Sequence, residues 1–371
     1  MATGTVAACG SPASSASATG TGGATPATVS MATSTATGTD SWAVVPMSAD
    51  PVFWQVFARA GNSGAWKLVT PPGVAINGGL VASAGGASAL TVAVRPSQDL
   101  TFSPLAVTAN GGGSWSTGDP IDAAVAASPD ALAADGGHLA VLLSNGAVET
   151  SANAGATWST IAGAGAIAGS TAARGCGGSV RVTSLSFGVT SAQVLAGGTC
   201  GTGGATAVFS YSTGAGWQRL SVPVAGQLVR LTDGMALVRG NAGLTALWRG
   251  FGWYAYAPRS GTPTPLPTAW VRSSALPVSG AITASGTLAL GGAWVLLADG
   301  RAATTTAAGT RWTQLPTVPA HTSVLASGPD GAVDALAVSG ATLTVWRLAV
   351  GATTWSEVQA IGVPIQYGSS S

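Results

Sequence analysis

The chain has 371 residues, a formal net charge of +1, and only 7% charged residues. That density cannot build the basic patch that nucleic acid requires, or a polybasic stripe beside an apolar run, so nucleic acid and a charged lipid surface are excluded as partners. The 46% hydrophobic content argues against disorder, and apolar stretches such as "GLVASAGGASALTVAV" are too broken by Gly and Ser to span a bilayer as a helix.

The first element in chain order is "TVAACGSPASSASATG". Valine and two small residues ahead of Cys9 resemble a bacterial lipobox, which implies cleavage before Cys9 and its lipidation. Only eight residues precede Cys9, too few for a basic n-region and an apolar h-region, so the original leader is expected to start upstream of Met1. Residues 1–9 therefore read as a signal remnant. Residues 10–40 are almost wholly Ser, Thr, Ala, Gly and Pro, a composition that buries no core and reads as a disordered tether. The globular part is expected over residues 41–367. The implied location is extracytoplasmic, with the membrane engaged only through the N-terminal lipid.

Beyond the tether a Gly turn closing on tryptophan returns seven times. It ends at Trp66, Trp115, Trp158, Trp217, Trp253, Trp312 and Trp355, at intervals averaging about 48 residues. Two copies extend into a longer repeat. "LAVLLSNGAVETSANAGATWSTI" (139–161) aligns without a gap on "AWVLLADGRAATTTAAGTRWTQL" (293–315). In each, an apolar run meets Asn-Gly or Asp-Gly, the strongest short-range hairpin signal because both turn positions need positive φ. A period of 40–50 residues with short strands predicts an all-β fold, a seven-bladed β-propeller of four-stranded blades.

The turn resembles the Asp-box, Ser-x-Asp-x-Gly-x-Thr-Trp, of sialidases and other bacterial propellers. "SANAGATW" matches at Ser151, Gly155, Thr157 and Trp158, with Asn153 in the place of Asp. The resemblance covers the chain from about Ser41 onward and specifies a blade, not an activity. It implies that the box joins the third and fourth strands of a blade, that its Asp or Asn binds local backbone N–H groups, and that each tryptophan is structural, filling the seam between neighbouring strands.

Cys176 and Cys200 lie in Gly-rich patches 24 residues apart. In an exported chain such a pair is expected to form a disulfide. With only His138 and His321 elsewhere, the two cysteines fall short of a zinc ligand set, and no metal or cofactor is implied. The densest aromatic stretch is "LWRGFGWYAYAP", followed by the Pro-rich "SGTPTPLPTAW". Trp248, Arg249, Trp253, Tyr254, Tyr256 and Arg259 are its candidate ligand-binding residues, since rings beside arginine can stack on a sugar or anchor a peptide.

Catalysis finds less support. Sialidases of the resembled family use three arginines, a Tyr-Glu pair and an acid/base Asp. Here Glu149 and Glu357 are the only glutamates, and Arg59 sits outside the family's early Arg-Ile-Pro motif. Asp119 and Asp122 flank Pro120 as a loop pair, and Asp130 and Asp330 read as turn residues. No catalytic residue is assigned. The expected function is that of a monomeric, non-catalytic propeller binding an envelope protein or glycan, with an exo-sialidase-like hydrolase as the alternative.

Overall fold

The computed structural model describes residues 41–47, 54–61, 64–71, 80–84, 89–94, 105–117, 129–135, 137–177, 179–188, 193–201, 204–232, 235–240, 243–248, 271–280, 282–288, 292–305 and 311–364. They form seven antiparallel sheets in chain order. The first has three strands, β1 (Ser41–Pro46), β2 (Trp54–Arg59) and β3 (Lys67–Leu68). The second has β4 (Leu80–Ala84), β5 (Leu90–Val94), β6 (Leu105–Thr108) and β7 (Ser116–Thr117). The third has β8 (Pro129–Asp135), β9 (His138–Leu143), β10 (Val148–Ser151) and β11 (Ser159–Ala162). The fourth has β12 (Val180–Phe187), β13 (Val194–Cys200), β14 (Ala205–Ser212) and β15 (Gly216–Leu220). The fifth has β16 (Gln227–Thr232), β17 (Met235–Gly240), β18 (Gly243–Trp248) and β19 (Val271–Ala275). The sixth has β20 (Ile282–Leu288), β21 (Gly292–Leu297), β22 (Ala302–Thr305) and β23 (Trp312–Gln314). The seventh has β24 (Thr322–Ser327), β25 (Val333–Ser339), β26 (Thr342–Leu348) and β27 (Ser356–Gly362).

Each sheet is an up-and-down meander that packs face to face on its neighbours. Trp42 and Val44 of the first sheet meet Leu90 and Val92 of the second. Leu105 of the second meets Leu132 and Val141 of the third. Further on, Phe187 and Phe209 of the fourth sheet share a core with the third, and Leu195 of the fourth shares one with Ala236 of the fifth. One cluster joins Trp294 of the sixth sheet, Leu325 of the seventh, and Phe57 and Trp66 of the first. The seventh sheet thus packs on the first, and the architecture is an all-β propeller with four-stranded blades.

This packing explains why second strands read as unbroken apolar runs. A sheet covered on both faces has no solvent side, so Ala140, Val141 and Leu142 of β9, like Trp294, Val295 and Leu296 of β21, are all buried. A second regularity lies at the start of the first strand. The pairing of first to second strand carries a bulge in the third to seventh sheets, at Pro129/Ala131, Val182/Ser184, Leu228/Arg230, Ile282/Ala284 and Thr322/Val324.

Antiparallel order sorts the connections onto two faces. Those from first to second and from third to fourth strand lie on one, here the turn face. Those from second to third strand, and from sheet to sheet, lie on the other, here the linker face. Hydrogen bonds between connections follow the division. Ala154 N donates to Gly137 O at 2.7 Å on the turn face, and Val318 N donates to Gly300 O at 3.1 Å on the linker face.

Among the described residues, the connection between the third and fourth sheets departs from the all-β pattern. Residues 163–179, between β11 and β12, hold the short helix α1 (Ala166–Gly169) and a 3-10 turn (Thr171–Cys176) on the linker face. Among the described residues no helix is long and apolar enough to cross a membrane.

Candidate functional site

Two turns between third and fourth strands are built alike. In the third sheet Ser151 Oγ accepts from Gly155 N at 2.9 Å, and Asn153 Oδ1 accepts from Thr157 N at 2.9 Å. Asn153 Nδ2 donates to Thr157 Oγ1 at 3.0 Å. In the second sheet Thr108, Asn110, Gly112 and Ser114 make the same bonds: Gly112 N to Thr108 Oγ1 at 3.1 Å, Ser114 N to Asn110 Oδ1 at 2.9 Å, and Asn110 Nδ2 to Ser114 Oγ at 2.8 Å. Gly155 and Gly112 have φ of 89° and 83°, where a side chain is strained. The sequence reading missed this second full copy, because it tested the turn at Trp115 only for its glycines. The signal was present as Thr108-x-Asn110-x-Gly112-x-Ser114-Trp115.

A tryptophan at the head of the fourth strand reaches back to the preceding sheet. Trp115 Nε1 donates to Val69 O at 2.9 Å, Trp217 Nε1 to Ile161 O at 3.3 Å, Trp312 Nε1 to Ser273 Oγ at 3.1 Å and Trp355 Nε1 to Pro316 O at 3.4 Å. Trp158 fills the same kind of seam beside Leu105 and Val141. These rings join one sheet to the previous one, not strand to strand within a sheet. Trp253 lies outside the described residues. The residue directly ahead of β19 in the sequence is Trp270, the place tryptophan holds ahead of or at the start of the other fourth strands.

The first and seventh sheets stand at opposite ends of the described chain, and their junction carries a cluster of polar contacts. Trp66 Nε1 donates to Asp334 Oδ2 at 2.9 Å. The fully buried Asp334 carboxylate also receives Arg347 Nε at 2.7 Å and Arg347 Nη2 at 2.9 Å. That bond and the adjacent negative charge hold the Arg347 guanidinium above its ordinary value, against partial burial. Arg59, 1% exposed, has Nε 4.0 Å from Asp334 Oδ2 and its guanidinium 6.0 Å from the Trp66 ring centroid. Its Nη2 donates to Ser327 O at 2.9 Å and to Ser41 Oγ at 3.1 Å, and its Nη1 to Gly61 O. Gln359 completes the seam: its side chain accepts from Trp66 N and donates to Trp66 O, both at 2.9 Å, as a strand residue would.

The candidate catalytic types do not converge among the described residues. Glu149 is buried in a third strand, Glu357 is exposed in a fourth, and Tyr211 leans on Trp217 at 5.3 Å between centroids. Arg59 is committed to the seam. Asp119 and Asp122 lie outside the described residues, as do Cys9, Arg249, Tyr254, Tyr256 and Arg259. For Trp248 only its place at the end of β18 is described. The segment that carries these aromatics, residues 249–270, connects β18 to β19, so both its ends lie on the turn face. On the linker face, Cys176 and Cys200 form a disulfide with Cα atoms 4.8 Å apart, tying the inserted segment to the end of β13.

The class of protein defined by this arrangement is the β-propeller. No protein-family model matches the chain, and no curated protein sequence does. Among solved structures it resembles YCF48 bound to D1 peptide (14% identity, 75% of this chain and 80% of that one, TM-score 0.46). It also resembles YCF48 from Cyanidioschyzon merolae (15%, 82% and 96%, 0.44) and an Aleuria aurantia lectin in complex with alpha-methyl-L-fucoside (11%, 92% and 97%, 0.40). At such identities the likeness is one of fold alone.

Proposed function

We propose that this is a seven-bladed, Asp-box-like propeller, exported, lipidated at Cys9 and monomeric, which binds an envelope protein or glycan without catalysis. The observation that carries the reading is the connection between β18 and β19. It is the longest connection between strands of one sheet, it holds the densest aromatic stretch, and its ends are fixed on the turn face of a rigid ring. Trp248, Arg249, Trp253, Tyr254, Tyr256 and Arg259 supply stacking surface and one kind of charge. The Cys176–Cys200 disulfide supports an oxidising compartment.

The test is crosslinked capture from the producer's envelope, run in parallel with a glycan array, using chain that begins after Cys9. A single protein or glycan class, lost in Trp253→Ala/Tyr254→Ala but kept in Ala164→Ser on the linker face, is the expected result. Turnover of fluorogenic sialosides would overturn the non-catalytic reading.

A further inference from the structure

Charge is unevenly spread along the chain. Residues 150–298 hold eight arginines and a single acid, Asp233, a net +7, whereas residues 1–149 hold three basic and eight acidic residues, a net −5. The fourth sheet and the disulfide-tied segment lie wholly inside the basic stretch, so they contain no acid of their own to neutralise Arg174, Arg181 or Arg219. All three arginines are exposed, and none makes an ion pair among the described residues.

Two of the three share a surface. In β15, Trp217 and Arg219 are two apart and so stand on one face of the strand. Their register partners in β14 are Tyr211 and Phe209, and Phe209 belongs to the core shared with the third sheet. Ile167, Ala173 and Cys176 of the tied segment are buried against that same core. This brings Arg174 in beside Arg219. A side chain on Gly175 would come within 2.6 Å of Arg219 Nη1, so the guanidinium lies against the backbone of Arg174's neighbour. Tyr211 and Trp217, both half-buried, complete the patch with ring centroids 5.3 Å apart. Two like charges set close together repel, and the Cys176–Cys200 bond fastens the segment that carries one of them.

We propose that Arg174 and Arg219, with Tyr211 and Trp217, form a docking surface for an acidic polypeptide segment that sets a carboxylate next to an apolar side chain. The guanidinium fork pairs with a carboxylate through two hydrogen bonds, and Trp, Tyr and Arg carry much of the energy of protein interfaces. Two discrete charges on a largely uncharged surface fit discrete carboxylates, not the continuous charge of nucleic acid. The surface is separate from residues 249–270, and the proposal stands whether or not those residues bind a partner.

Fluorescence anisotropy on the oxidised full chain tests it, with a labelled peptide of Glu-Glu-Leu repeats as probe and Gln-Gln-Leu repeats as its neutral counterpart. The expected result is binding of the acidic peptide alone at low salt. It should weaken roughly tenfold in Arg174→Gln/Arg219→Gln and stay unchanged in Lys67→Gln/Arg311→Gln, which removes the same charge from exposed positions elsewhere. No binding, equal affinity for the two peptides, or equal weakening by the two variant pairs would each overturn the proposal. Polygalacturonate serves as the acidic glycan. If it binds more tightly than the peptide and loses as much in Arg174→Gln/Arg219→Gln, the surface belongs to uronates and the polypeptide reading falls.

Discussion

Asp334 shows what a single residue contributes when its surroundings are dry. Its carboxylate accepts from Trp66 and twice from Arg347, with Arg59 alongside, so its charge is matched on every side that the seam offers. A buried pair of this kind gains little over an apolar one, but removal of one partner strands the others. Asp334→Ala should therefore cost about 3–5 kcal/mol in urea unfolding, and Asp334→Asn less, because the amide oxygen still accepts. The turn asparagines act at lower stakes. Asn110→Ala and Asn153→Ala should each cost about 1 kcal/mol, while Asn153→Asp should be near neutral, since Thr157 can donate its hydroxyl instead. A loss equal to that of alanine would show that the Nδ2 bond matters more than the Oδ1 one. At the exposed Asp299, the side-chain and backbone hydrogen bonds from Arg301 hold the carboxyl below its ordinary value. The sign follows: this stabilisation is present above the unfolded titration range and is lost as pH falls through the folded value. An NMR titration should place the Asp299 midpoint below that of an unfolded peptide, and Arg301→Ala should return it part of the way, because the backbone N–H of position 301 still donates to the carboxylate.

At the scale of elements, legibility tracked sequence distance. The turn bonds run between residues at most four apart, and the sequence displays them to anyone who counts the spacing. Hairpins at Asn145-Gly146 and Asp299-Gly300 were legible for the same reason, but only the glycines take positive φ, 84° and 78°; Asn145 and Asp299 do not, so the expected positive φ at both turn positions is not found. The tryptophan of the fifth sheet was harder to read. Trp253 follows a Gly turn, but the register of β18 on β19 sets the start of the fourth strand at Val271, after Trp270. The seam was out of reach, because Trp66 and Asp334 are 268 positions apart and neither residue type announces a partner. The inserted segment illustrates a third case: the cysteine pair was readable, but the helix it fastens was not, since "GAGAIAGS" has little apolar periodicity. Reducing Cys176–Cys200 should lower stability by roughly 3 kcal/mol in the chain-entropy model. Limited proteolysis should then cut first between residues 163 and 179; uniform cutting elsewhere would mean that the segment is held by packing alone.

For the whole molecule, the division into two faces decides what the ring can present to a partner. The connections from second to third strand, those from sheet to sheet and the disulfide-tied segment share the linker face, while both ends of residues 249–270 share the turn face. A partner held by residues 249–270 would therefore cover the turn face and leave the linker face open. A dye at Thr353→Cys on the turn face should then change its emission when the partner binds, and a dye at Ala164→Cys on the linker face should not. An equal response at both positions would mean that the partner is not held from the turn face.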